Sequence, residues 1–210
     1  MVNLKTFFDR SYCVNLDRRK DRWETIQRDV VPVWPFAPIE RWSAVDGQKI
    51  KPPAWWRISP GAWGCYRSHV SIVEQCLRDE VKSVLVVEDD ITLHPDIAEA
   101  AEKFLEELPA DWDMIYFGGR LWNPKEPISE HVARARGVML THSFAMSASG
   151  LQKVYDWLHP MDWRMMPPPG QHVDFQLGRH HRLPNSKIYV PNHWFVIQTR
   201  SKTDIQKWVR

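Results

Sequence analysis

Cysteine is scarce in this chain of 210 residues: Cys13, Cys65 and Cys76 form an odd set with no Cys-x-x-Cys pair. That argues against a disulfide framework and against a zinc knuckle, and it favours a reducing compartment, so the expected location is cytoplasmic. Long apolar runs are lacking too. Lys5, Asp9 and Arg10 interrupt the opening segment, and nothing reaches the roughly 20 apolar residues of a membrane span. Net charge is almost absent, +2 from 28 Lys and Arg against 26 Asp and Glu. This is not the basic footprint of a protein whose main task is gripping nucleic acid. No internal repeat is present.

What the chain does have is a hydrophobic fraction of 43%, enough for one core, and the expectation is a single domain over residues 1–210. Strand and helix patterns alternate. Tyr12 to Leu16 reads as a strand and is followed by a helical stripe of Trp23, Ile26 and Val30. Ile39 to Val45 is a second strand candidate, closed by the turn pair Asp46-Gly47. Lys51 to Gly64 reads as an irregular loop, and Cys65 to Leu77 as a helix. The run Ser83 to Val87 suits a strand buried on both faces. Further helices are expected over 95–108, 150–158 and 173–182, and further strands over 113–117, 138–147, 187–191 and 194–198. Met165 to Gly170 reads as a loop, and the polar stretch from about Arg200 to Arg210 as a mobile tail. The pattern is that of an α/β domain. Twelve tryptophans are present. Trp34, Trp55, Trp56 and Trp163 stand in proline-rich loops, where they serve either to stack on a ligand or to pack the loops.

Chemistry concentrates first at Glu88-Asp89-Asp90, directly after Val84 to Val87. Three adjacent carboxylates repel one another, and ligands of open α/β sheets collect at the carboxyl ends of strands. A hard divalent cation, Mg²⁺ or Mn²⁺, is the economical counter-ion, the alternative being a solvated acidic turn. A second concentration is Asn15-Leu16-Asp17-Arg18-Arg19-Lys20-Asp21-Arg22 at a strand-to-helix junction. Asp17 can cap the helix there, while the basic residues crowd the positive end of its dipole and call for an anion such as a diphosphate. The alternative is an exposed basic first turn. Arg179-His180-His181-Arg182 reads as a solvated basic run.

In order along the chain, Val14 to Arg19 with Asp21-Arg22, Ala44 to Gly47, Pro60 to Cys65 with Ser68-His69, and Val86 to Asp90 together resemble glycosyltransferase family 25. The resemblance continues through Ala145 to Gly150, Val173-Asp174, Val190-Pro191, Gln198 and Ser201. That family includes bacterial lipooligosaccharide galactosyltransferases and the collagen galactosyltransferases. Its members often carry an acidic residue where Ala62 stands, and many are longer. The resemblance implies a GT-A type, Rossmann-like nucleotide-sugar-binding fold with a mixed, mostly parallel central sheet. It also implies transfer of galactose or glucose from a UDP-sugar to a hydroxyl of a saccharide acceptor, with inversion, as in lipopolysaccharide assembly. Glu88 and Asp90 are then the metal ligands, joined by the late histidine His193. Asn15, Leu16, Asp17, Arg19, Arg22, Asp46, Gly47, Ser68, His69, Glu88, Asp89 and Gln198 are expected around the donor.

An inverting displacement needs a base for the acceptor hydroxyl, and Asp174 is the candidate, although a carboxylate at that position serves equally well as a helix cap. His69, on one helical face with Cys65 and Cys76, fits a buried structural role as well as donor contact. Three other readings remain open. Nucleic acid bearing hydroxylated bases is an alternative acceptor, clustered carboxylates also suit a metal-dependent phosphodiesterase or nuclease, and a non-catalytic sugar- or nucleotide-binding module could keep the fold without the base.

Overall fold

A computed structural model gives the structure, and it describes residues 1–159 and 172–199. Trp163, the expected Met165 to Gly170 loop, Ser201 and the rest of the tail from Arg200 lie outside the described residues. A short helix α1 (Leu4–Phe7) leads into β1 (Arg10–Asn15) and then α2 (Lys20–Thr25). The latter winds down through a π turn over Ile26–Val30 and a 3-10 turn over Val31–Val33, where Pro32 removes a helical donor. After β2 (Ile39–Ser43) comes the long helix α3 (Pro60–Arg78), begun by Ser59, whose side chain accepts from Ala62 N. The start lies inside the expected loop because Ser59-Pro60 is itself a cap followed by a proline at the first helical position.

The chain continues through β3 (Ser83–Glu88), β4 (Ile91–Leu93), α4 (Ile97–Glu106) and β5 (Met114–Tyr116). Four short strands not expected from the sequence pattern or only half resolved by it follow: β6 (Arg120–Leu121), β7 (Glu126–Pro127), β8 (Val132–Arg134) and β9 (Val138–Met139). Then come β10 (Ser143–Ser147), α5 (Ala148–Leu158), α6 (Val173–His180), β11 (Ile188–Pro191) and β12 (Val196–Gln198). No helix among the described residues is long and apolar enough to cross a membrane.

Eight strands form one mixed sheet in the order β2-β1-β3-β10-β5-β11-β8-β7, in which β10 and β8 run against the other six. The expected α/β class with a mixed sheet, most of its strands sharing a direction, is thus observed. Strand β3 is central and buried on both faces, as its β-branched run requires. Val84 and Val86 pack toward α3, α5 and α6, while Leu85 and Val87 pack toward α4 and the π turn. Each such side chain contributes about 1.5–3 kcal/mol by leaving water, so β3 anchors both layers.

Register brings the chemistry together. Val14 of β1 pairs with Glu88 of β3, which sets Asn15 beside Asp89. Asn15 also pairs with Ser43, so the segment after β2 emerges at the same edge. Antiparallel β10 pairs Ser143 with Val87, which brings the residues preceding it to that edge as well.

The described loop tryptophans resolve in favour of packing. Trp34 is buried and donates its Nε1 proton to Ala37 O, and Trp55, Trp56 and Trp63 pack on one another edge to face. Of the run Arg179 to Arg182, the two arginines are exposed as expected, but His180 and His181 are 2% and 1% exposed. The His181 ring accepts from Val138 N and meets the Tyr116 hydroxyl at 3.2 Å. One face of α6 must fill the core, and a neutral imidazole does so where its ring atoms find partners.

Candidate functional site

A cleft of about 580 Å³ opens at the carboxyl ends of β1, β2 and β3. The β3–β4 turn forms its floor, with Glu88, Asp89 and Asp90 all on its surface, and Leu16, Arg18, Arg22, Asp46, Gly47, Ser68, His69, Asp174 and Gln198 also line it. Segments that are remote in sequence therefore meet at one place. No described tryptophan lines it, so the described surface offers no indole for stacking.

The three carboxylates have unlike surroundings. Asp89 is the structural one: it accepts from Asn15 Nδ2 at 2.6 Å and from Arg22 Nη1 at 2.7 Å. Burial nevertheless holds its carboxyl above the usual range against those two partners. Asn15 is buried, donating also to Arg19 O and accepting from Arg41 Nε at 2.8 Å, so it positions Asp89 from behind the cleft wall.

Glu88 accepts from Thr141 Oγ1 at 2.6 Å and lies 3.6 Å from His69 Nε2. Burial works against its charge, but the His69 and Thr141 contacts outweigh burial and hold the carboxyl below its ordinary value. Asp90 is weakly served. Gln198 Nε2 donates to it at 3.3 Å and Arg22 Nη1 stands 3.4 Å away. Burial, followed by the charge of Glu88, pushes its carboxyl up to about 7. The pairing of β12 with β4, and the bonds of Thr199 N and Oγ1 to Asp90 O, hold Gln198 in place.

A divalent cation fits this surface. Arg22 and Asn15 answer the charge of Asp89, whereas Asp90 beside Glu88 is a half-buried carboxylate whose ionisation a nearby cation would favour, and the donors are hard oxygens.

Asp174 sits at the second position of α6, whose cap position belongs to His172 with no side-chain cap bond. It is not the cap, though its Oδ1 accepts from Phe175 N at 2.8 Å. Its Oδ2 accepts a longer bond, 3.4 Å, from Leu140 N. Burial raises its pKa. Leu140, at φ +73°, is in the left-handed region that leucine disfavours, and strain of this kind is sustained where surrounding contacts demand it. The demand is visible: Leu140 N reaches Asp174 while the next residue, Thr141, reaches Glu88. One strained step thereby couples both carboxylates.

Several sequence expectations need correcting. The arginines of the first junction are answered by protein carboxylates: Arg18 by Asp46 at 3.1 Å, Arg19 by Asp21 at 2.9 Å and Arg22 by Asp89. Asp17 does not cap α2. The cap position falls to Arg19, and Asp17 accepts from Arg41 Nη2 at 2.6 Å and from Ser43 Oγ at 2.9 Å. Neither Asp17 nor Arg19 lines the main cleft. Arg19 faces an adjoining cavity of about 470 Å³ beyond the Arg22 to Asp90 wall. His193 is exposed on the segment after β11 and lines neither cavity.

Gly47 is needed for packing. A Cβ there would stand 1.8 Å from Pro60 O, so the bare backbone lets the 44–48 segment seat on the start of α3. Ser68 fastens that segment by accepting from Val45 N at 2.9 Å and donating to Gly64 O at 2.7 Å. Sequence reasoning missed Thr141, Leu140, Cys65, Thr199 and His172 as cleft residues. Of these five, only Cys65 carried a signal, through the Pro60 to Cys65 block in which it stands.

Comparison with known proteins identifies the family. Residues 8–154 match the family described as Glycosyltransferase family 25 (LPS biosynthesis protein). Probable inactive glycosyltransferase 25 family member 3 of Bos taurus is 26% identical over 215 residues, covering 90% of this chain and 34% of that protein. Procollagen galactosyltransferase 2 of Mus musculus is 27% identical over 175 residues, covering 71% of this chain and 28% of that protein. The chain spans about a third or less of the length of these curated relatives. Among solved structures, a glycosyltransferase involved in the glycosylation of the major capsid of PBCV-1 aligns with a TM-score of 0.46 at 10% identity, over 86% of this chain and 79% of that one.

Proposed function

The chain belongs to glycosyltransferase family 25, and from that premise we propose that its cleft takes a UDP-hexose, with galactose or glucose as the sugar, and transfers the hexose to a hydroxyl of a saccharide acceptor. Residues 1–210 act in this reading as one catalytic domain, and the three free cysteines suit a reducing, cytoplasmic setting. The observation that carries the proposal is the convergence of Glu88, Asp90 and Asp174 on one cleft, two of them tied through the consecutive residues Leu140 and Thr141.

Asp90 and Glu88 would hold Mn²⁺ or Mg²⁺. When bound, the ion supplies Lewis-acid stabilisation to the departing diphosphate. The chain's own residues do the rest. Arg22 and Asn15 fix Asp89 and so set the turn that presents the other two carboxylates. Leu16, Asp46, Gly47, Ser68, His69 and Gln198 form the wall against which the donor lies. Asp174 takes the acceptor proton, a role suited to a carboxylate whose basicity burial has increased. His193, exposed and outside the lining, is given no part.

Screening UDP-hexoses with Mn²⁺ for slow hydrolysis or transfer tests the proposal. Release of UDP that Asp90→Ala abolishes is the expected result. No turnover and no binding across those donors would overturn it, and release of UMP would indicate a phosphodiesterase instead. The two arginines lining the cleft are each paired with a carboxylate, which gives a DNA acceptor no support.

A further inference from the structure

Three donor atoms of unlike chemistry meet on the α3 wall of the cleft. Cys65 and His69 stand one helical turn apart, so their side chains leave α3 on the same face. Glu88 arrives from the end of β3. The Cys65 Sγ, a ring nitrogen of His69 and a carboxylate oxygen of Glu88 all lie within 4.8 Å of one another. His69 is 4% exposed, and its Nδ1 is buried without a hydrogen-bond partner. All three residues border the cleft, and the Thr141 hydroxyl donates to Glu88 Oε1, the oxygen that His69 Nε2 also approaches.

We propose that Cys65, His69 and Glu88 form a thiolate-containing site for a borderline-soft divalent cation, Zn²⁺ above all, with a fourth position open to the cleft. Sulfur, imidazole and carboxylate together match the ligand preference of zinc, whereas Mg²⁺ and Mn²⁺ favour oxygen alone. Three protein ligands and one open position are the arrangement of an accessible zinc site rather than a closed structural one. Tetrahedral bonds of about 2.0–2.3 Å set donors roughly 3.5 Å apart, so small rotamer adjustments close the present triangle. On binding, the Cys65 thiol gives up its proton to solvent and the sulfur becomes the metal ligand, with no change of oxidation state. Thr141 supplies the outer hydrogen bond that orients a ligating carboxylate.

The site does not depend on the nucleotide-sugar reading, but it bears on it. Glu88 belongs to both, so Zn²⁺ bound here would compete with Mn²⁺ for a shared carboxylate.

The test uses the metal-stripped full chain without nucleotide. Zn²⁺ is titrated by calorimetry and Co²⁺ by absorption, for the wild type and Cys65→Ser. One Zn²⁺ per chain is expected, with a thiolate-to-cobalt charge-transfer band in the near ultraviolet. Cys65→Ser should lose the band and weaken Zn²⁺ binding by at least roughly tenfold. Equal Zn²⁺ affinity in both proteins, or a cobalt complex without the thiolate band, overturns the proposal. In the unaltered protein, Zn²⁺ should also slow alkylation of Cys65 by iodoacetamide by about tenfold or more, and an unchanged rate contradicts it whether or not the variant folds. Since no nucleotide enters these titrations, their failure leaves the UDP-hexose proposal standing, and failure to bind UDP leaves the zinc result standing.

Discussion

Replacing Asp90 by asparagine should make the metal-free protein more stable while removing its response to divalent cations. The Asp90 carboxyl is raised from 3.8 to about 7 by burial and by Glu88. A carboxyl with a raised folded-state pKa binds its proton more tightly in the native than in the unfolded chain. Stability therefore falls as pH climbs from about 4 to about 7, and the full cost is present above that window. Some three units at about 1.4 kcal/mol each give a cost near 4 kcal/mol at pH 8 and about 1.5 kcal/mol at pH 5. Asparagine keeps the oxygen that accepts from Gln198 and cannot ionise, so the variant escapes the cost. Urea denaturation of both proteins at the two pH values, without divalent ions, reads the difference, and effects from titrating groups remote from Asp90 cancel in the comparison. Saturating Mn²⁺ should then raise the wild type and leave Asp90→Asn where it was. A variant no more stable than the wild type at pH 8, or a gap that does not widen with pH, would refute the reasoning.

Asp174→Asn should lower kcat by about 10² to 10⁴ while donor binding survives, as separate turnover and binding assays would show. Burial raises Asp174, so kcat/KM should fall as pH drops through a pKa above the ordinary carboxylate value, and a flat acid limb would exclude it as the base. His180, held down to about 4 by burial, stays neutral in the native state while the unfolded chain takes up a proton from about pH 6.5 downward. Stability should accordingly drop by about 3 kcal/mol between those values, and His180→Leu should flatten that slope in an acid titration followed by circular dichroism. Gly47→Ala should cost about 1–3 kcal/mol in urea denaturation, since its Cβ would lie 1.8 Å from Pro60 O.

The buried strand and the acidic turn were legible because their signals are local. A β-branched run reads as a strand sealed on both faces, and three adjacent carboxylates after it repel one another and so call for compensating partners. The grouping of Leu16, Asp46, Ser68, His69, Gln198 and Asp174 around one cleft was legible from the ordered family blocks, and periodicity alone did not give it.

Other features depend on long-range pairing. Asp17 reads as a cap because an aspartate before a helix usually is one, yet Arg41 and Ser43 from the neighbouring strand claim it. The arginines read as anion seekers because their partners Asp46 and Asp89 lie 28 and 67 residues away. Leu140 gives no sign in sequence, since a left-handed residue is expected to be glycine or asparagine. The histidines of α6 read as solvated because local charge hides the fact that one face of the helix must enter the core.

Calorimetric titration of UDP into the wild-type protein, with and without Mn²⁺, addresses the heart of the account. Binding at least roughly tenfold tighter with the cation, a gain that disappears in Asp90→Asn, is what carboxylates arranged to seat a metal beneath a diphosphate require. UDP affinity indifferent to Mn²⁺, or no affinity in either condition, would contradict it.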